Sequence, residues 1–202
     1  MNFRDDTGSE RQRFFTSDLH LSHANVIKYC NRPFRNADEM NEKIIENWNS
    51  VVTPQDIVYI VGDVIFEKDE NKRIWLLNRL KGEKHLIKGN HDRIITGRTA
   101  KCFNHIENSG LREIKVPDLD GWGGNQVIVM CHYPLLTWNK GHYGSYMLHG
   151  HCHGTLTEDP NSRRFDVGVD CWNFTPVSYQ QIKDKMTKKN WKPVDHHGEE
   201  DE

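Results

Sequence analysis

Aspartate, asparagine and histidine recur along this chain in short clusters: Asp18-Leu19-His20, Gly62-Asp63, Gly89-Asn90-His91-Asp92, His132 and Gly150-His151-Cys152-His153. Carboxylate, amide and imidazole together suit a borderline divalent cation such as Mn²⁺, Fe²⁺ or Zn²⁺. Ca²⁺ prefers oxygen alone, and structural zinc sites take clustered thiolates. Asp18, His20, Asp63, Asn90, His132, His151 and His153 oversupply one ion, whereas two ions sharing one carboxylate fit the number of donors. Taken singly the fragments say little. Asp-x-His and Gly-Asp are common at strand ends and turns, and a lone His132 is more often a packing residue. The His151-x-His153 pair is the most specific piece, because an extended His-x-His sends both imidazoles to one side.

The elements that must position these groups can be read from hydropathy. Phe14-Phe15-Thr16 is a short buried strand, followed by a helix from Ala24 to Cys30. Asp38 is expected to cap the next helix, whose Met40, Ile44, Ile45 and Trp48 recur at helical spacing. Ile57 to Val61 is an apolar strand closing on Gly62-Asp63. A helix over Asn71 to Leu80 is stopped by Gly82, and a strand over His85 to Ile87 runs into Gly89-Asn90-His91-Asp92. An irregular stretch follows to about Gly110. Ile114 and Val116 pair with Val127 to Met130 across a glycine-rich loop, and the second strand ends at His132. Ser145 to Leu148 and Phe165 to Val169 read as further strands, and Pro176 to Lys189 as a closing helix. Five apolar strands thus end in Asp, Asn or His. Strand ends are where α/β proteins bind ligands, so strands lying side by side would bring the five clusters together. Residues 12–190 show no linker or repeat and read as one domain. Residues 1–11 read as a flexible segment, and residues 191–202 as a flexible acidic tail.

Composition narrows the classes. The net charge of −2 gives no global electrostatic reason to bind nucleic acid or acidic membranes. The five cysteines are odd in number and scattered, with no CxxC pair, so they read as reduced thiols; Cys131 and Cys152 flank ligands and are expected to point away. No apolar run approaches the roughly 20 residues that span a bilayer. Met1 to Arg13 is too polar for a secretory signal, and the expected location is the cytoplasm.

In order and context, the five clusters resemble the motif set of the calcineurin-like metallophosphoesterases, over about residues 14–175. Phe15-Thr16-Ser17-Asp18-Leu19-His20 and Val167-Gly168-Val169-Asp170 are similar to the small bacterial and bacteriophage members. The resemblance implies an α/β fold of two packed mixed β-sheets flanked by helices. It implies that Asp18, His20 and His153 bind one metal, that Asn90, His132 and His151 bind a second, and that Asp63 bridges them. His91 matches the family's catalytic histidine that is not a ligand. The metals expected are two divalent ions, Mn²⁺ favoured over Fe²⁺/Fe³⁺, Zn²⁺ or Ni²⁺. The chemistry would be attack of a metal-bridged hydroxide on a phosphodiester or phosphomonoester, with His91 assisting the leaving group. A nucleotide-type substrate is favoured, with His23, Arg32, Arg93 and Tyr133 as candidate contacts. A loop carrying Trp138 and Tyr143 follows His132 and offers further stacking surfaces. His149 is expected in a core or supporting role. The rivals are a nuclease on DNA or RNA, using Lys183, Lys185, Lys188 and Lys189, and a non-catalytic metal-bound scaffold.

Overall fold

The computed structural model describes residues 11–194. Along the chain come β1 (Arg13–Thr16), α1 (Ala24–Tyr29), α2 (Ala37–Val51), β2 (Ile57–Ile60), α3 (Glu70–Asn78), β3 (Glu83–Ile87), the one-turn α4 (Gly97–Ala100) and β4 (His105–Glu107). They are followed by β5 (Leu111–Pro117), β6 (Asn125–Cys131), β7 (Tyr146–His149), β8 (Arg164–Asp166), β9 (Val177–Ser178) and α5 (Tyr179–Met186). Among the described residues, one sheet has the order β4-β3-β2-β1-β9 and the other β5-β6-β7-β8. Both are mixed. β1 to β4 run parallel with β9 antiparallel on β1, and β5 opposes a parallel β6-β7-β8.

Alternation along the strands divides the core into two layers. Phe14, Val58, Ile60 and Leu86 face α2 and α3, packing with Met40, Ile44, Trp48, Leu76 and Leu77. Their neighbours Phe15, Tyr59, Val61 and Ile87 face the second sheet, meeting Ile128, Met130, Leu148 and Phe165, with Ile182 and Met186 of α5. A period of two makes each central strand of the first sheet apolar on both faces, which is why these strands read as continuous apolar runs. Trp48 is fully buried and its indole N–H donates to the Lys81 carbonyl (2.9 Å). Truncating it to alanine would cost about 3–5 kcal/mol.

Several local expectations change. Asn36, not Asp38, caps α2: its extended backbone lets the side chain accept the Glu39 N–H, while Asp38 sits in the first turn beside the positive helix end. β4 and β9 went unforeseen, since three and two residues are too short to show a period. β9 also takes the start of the helix expected from Pro176, and α5 begins at Tyr179 with a Ser178–Gln181 capping box. The five cluster-bearing strands do not lie in one sheet; they divide between two. The segment expected to be flexible from residue 191 begins packed, because Trp191 lies under Arg163 and the Lys192 N–H donates to Asn161. Arg11 is likewise paired with Glu83. The rest of both terminal segments, 1–10 and 195–202, lies outside the described residues. No helix among the described residues is long and apolar enough to cross a membrane.

Candidate metal centre

Parallel pairing puts the C-terminal ends of β1, β2 and β3 on one edge, and those of β6 and β7 on one edge of the other sheet. Those two edges meet. The Ser17 hydroxyl donates to the Val61 carbonyl (2.6 Å), and the Asp18 and His20 N–H groups donate to Gly62 and Asp63. Across the sheets, the His151 N–H donates to Asp18 Oδ2 (2.9 Å) and the Val169 N–H to the Ser17 carbonyl, while within the second sheet the Gly150 N–H donates to the His132 carbonyl. Asp18, His20, Asp63, His151 and His153 all adopt left-handed backbone, with φ between 47° and 69°. Each such residue costs about 1–3 kcal/mol and persists only where its surroundings impose it. The loops also leave no room for side chains at their closest approach. A Cβ on Gly62 would come within 2.5 Å of His132 Nδ1 and 2.7 Å of the Gly89 Cα.

The donor atoms converge as two groups. Asp18, His20 and His153 can each present one ligand atom within 4.8 Å of the others, and so can Asp18, Asp63 and His132. Asp63 Oδ2 lies 3.7 Å from His20 Nε2 and 3.4 Å from His132 Nε2, between the two groups. Its Oδ1 accepts the His91 N–H (3.0 Å). Asp18 Oδ1 is 3.9 Å from His20 Nε2 and 4.0 Å from His153 Nε2. The His132 and His151 rings stand 5.2 Å apart, and the His20 and His153 rings 5.1 Å. The His151-Cys152-His153 segment is therefore not the extended pair expected. Its two left-handed residues turn the His151 ring toward His132 and the His153 ring toward His20.

These atoms fit divalent cations. Asp18 Oδ1, His20 Nε2, Asn90 Oδ1 and His132 Nε2 are buried without any hydrogen-bond partner, although buried polar atoms almost always have one. Burial pushes the Asp18 carboxyl up to about 7 despite His132 and His153 nearby. Burial holds His20 down to about 2, leaving a neutral ring with a lone pair. Burial would also lower His132, but the Asp63 and Asp18 carboxylates overcome it and raise the ring to about 9. Positive charge is thus favoured where His132 Nε2 faces the carboxylates, and a cation there would compete with the proton. The opposite ring nitrogens are fixed from behind. His132 Nδ1–H donates to the Val61 carbonyl (2.8 Å) and His153 Nδ1–H to Asp170 (2.7 Å), turning Nε2 of each toward the centre.

The model of the calcineurin-like phosphoesterases matches residues 14–201. The chain belongs to this family. An uncharacterised protein of Methanocaldococcus jannaschii is 35% identical over 180 residues, covering 86% of this chain and 90% of that one. The Gene 66 protein of Mycobacterium phage D29 is 31% identical over 182 residues, with 79% and 88% covered. A solved structure, a protein of unknown function from Aquifex aeolicus, shares the fold at a TM-score of 0.63 and 21% identity, over 87% of this chain and 99% of that one. Family membership implies metal-dependent hydrolysis of phosphate esters, and the two mixed sheets flanked by helices agree with it.

The softer candidates of this calcineurin-like chain separate. Tyr133 is half exposed and lies against His151, ring centroids 4.7 Å apart. His23 packs beside His20 at the rim. Arg93 is exposed on the turn after His91. Arg32, expected to face phosphate, is instead buried: it grips both Asp170 oxygens (2.8 Å each) and the Asp18 and Leu19 carbonyls. His149 is buried, its Nδ1 against the Gly150 carbonyl, as a core role requires. The sequence assigns no role to two supporting residues, Asp170 and Phe66, and a third, Asp92, stands there only as the last member of its cluster. Asp170 orients His153. Asp92 accepts the Asp63, Val64 and Gly89 N–H groups and so ties two ligand loops together. Phe66 lies 5.0 Å from both the His20 and His91 rings. Asp170 had a signal in the quoted Val167-Gly168-Val169-Asp170 and Asp92 in the quoted Gly89-Asn90-His91-Asp92, while Phe66 had none. Cys30 also approaches His153 and Asp170, but those two are already committed to each other.

Proposed function

We propose that this protein is a dinuclear-metal phosphoesterase in which Asp18, His20 and His153 hold one divalent cation. Asn90, His132 and His151 would hold the other, with Asp63 shared between the two. The observation that carries this reading is the set of unpartnered buried donors: Asp18 Oδ1, His20 Nε2 and His132 Nε2 gathered about Asp63, and Asn90 Oδ1 on the loop beside it. When bound, such cations supply a water ionised near neutral pH and countercharge for the phosphoryl oxygens, and Mn²⁺ is the favoured metal. Asp63 Oδ1 holds the His91 backbone, and Phe66 stands against its ring. The exposed imidazole of His91 protonates the departing oxygen. Tyr133 offers a flat, half-exposed ring beside His151, which favours a substrate with a planar group, a nucleotide ester, and leans the reading toward diesters. Arg93, exposed two residues after His91, would offer a cation to a phosphate oxygen. The expected location is the cytoplasm.

The nuclease reading loses its lysine patch. Lys183 pairs with Asp118 and Asp120, Lys185 and Lys189 with Glu158, and only Lys188 of the four stays exposed without an ion pair. The test strips the protein with a chelator, resupplies Mn²⁺, counts bound ions and follows hydrolysis of bis-p-nitrophenyl phosphate and p-nitrophenyl phosphate. Two bound equivalents and restored turnover are expected, faster for the diester. Turnover indifferent to metal would overturn the reading, as would binding of fewer than two ions. Two ions with no turnover of either ester would favour the scaffold.

A further inference from the structure

We propose that His23 is a positioning residue that fixes the tautomer of His20 and so makes its half of the centre competent to hold a cation. The inference rests on the dinuclear reading. His20 Nε2 is buried, has no partner and faces Asp18 Oδ1 and Asp63 Oδ2. For Nε2 to offer a lone pair from a neutral ring, the proton must sit on Nδ1, where a ligand histidine normally donates to a carboxylate or carbonyl. The group opposite His20 Nδ1 is neither; it is His23 Nδ1, at 3.3 Å. The two rings share one proton along that contact. If His20 donates, Nε2 is free for a cation and His23 carries its own proton on Nε2. If His23 donates, the His20 proton moves to Nε2, points at the carboxylates and blocks the ligand position.

His23 is held for this role in two ways. Its ring stacks on Phe66 with centroids 4.0 Å apart and planes 8° from parallel. Its own N–H donates to the His20 carbonyl (3.0 Å), closing a tight turn between the two histidines. Phe66 also stacks on His20 at 5.0 Å, so one phenyl ring sets the relative pose of both imidazoles. His23 was read from the sequence as a substrate contact; the direction of its Nδ1 assigns it inward instead.

Zn²⁺ suits the test because it is diamagnetic. In the wild-type protein loaded with two equivalents, ¹⁵N spectra of the imidazoles should show His20 protonated on Nδ1 and His23 on Nε2. A loaded protein with His23 protonated on Nδ1 overturns the proposal, with no variant required. Competition titration against a chelator supplies the second readout. His23→Phe keeps a ring on Phe66 but removes the acceptor, and should weaken one of the two Zn²⁺ equivalents by about 10–100-fold, leaving the other unchanged. His23→Asn places an amide oxygen near the Nδ1 position and should recover most of that loss. Wild-type affinity for both ions in His23→Phe, or equal loss in both variants, overturns it. If the tautomers and the affinity split are as expected but the wild-type protein hydrolyses no ester, the pairing stands and the phosphoesterase reading falls.

Discussion

The two halves of the proposed centre carry similar donor groups but are supported in different ways. Behind Asp18, His20 and His153 lies a chain of charged side chains: His153 donates to Asp170, Asp170 grips Arg32, and Arg32 reaches the Asp18 and Leu19 carbonyls. Behind Asn90 and His132 lies backbone. The Val61 carbonyl receives His132, and the buried Asp92 carboxylate gathers three N–H groups from the β2 and β3 loops. A half held by side chains can be tuned by one substitution. A half held by main chain is fixed by the path of its loops, and Gly62 and Asp92 set that path.

Substitutions can break or sharpen this comparison, beginning with the group common to both halves. Asp63→Asn should weaken both cations at once and lower turnover by more than the about 100-fold that loss of a ligand's supporting partner typically costs. Metal counting with a diester assay checks it; loss confined to one ion would remove Asp63 from the shared position. Next in size, His91→Ala should retain both ions and slow hydrolysis by about 10²–10⁴-fold, most for poor leaving groups. Loss of an ion in that variant would move His91 among the ligands.

Asp170→Asn separates the halves. It should weaken only the cation at His153, by about 10–100-fold. It also leaves Arg32 buried without its counter-charge, and breaking such a pair costs about 3–5 kcal/mol, read as a lower unfolding midpoint in urea. Equal weakening of both ions would mean that the halves are not independently supported. The smallest effect is expected from Asp92→Asn, which keeps one acceptor oxygen but turns an amide N–H₂ toward backbone donors. About 1–3 kcal/mol of stability should go, with the His132 half loosened more than the His153 half. Thermal unfolding and Zn²⁺ titration of the same variant measure both.

Much of the fold was readable because its central strands are apolar on both faces and end abruptly in polar residues. Ile57 to Val61 followed by Gly62-Asp63 shows the pattern plainly. β4 and β9 lacked it; each is held by a neighbouring strand rather than by a pattern of its own. The opposite helix-capping choices of Asn36 and Asp38 illustrate the same limit, since both residue types cap well and only the backbone entering α2 selects one.

By itself the sequence determined the donor types, their placement after strands, and hence the family and the class of cation they suit. Side-chain chemistry and strand periodicity are local properties, written within a few residues. The tertiary structure alone decided how the two sheets bring the loops together, that His151 and His153 take left-handed backbone, that Arg32 faces inward, and that Asp170 stands behind His153. The Arg32–Asp170 pair is 138 residues apart in sequence, and the left-handed turns at His151 and His153 are strained in isolation. Both exist only because the two sheets pack face to face with their strand ends meeting, and no local pattern carries that packing.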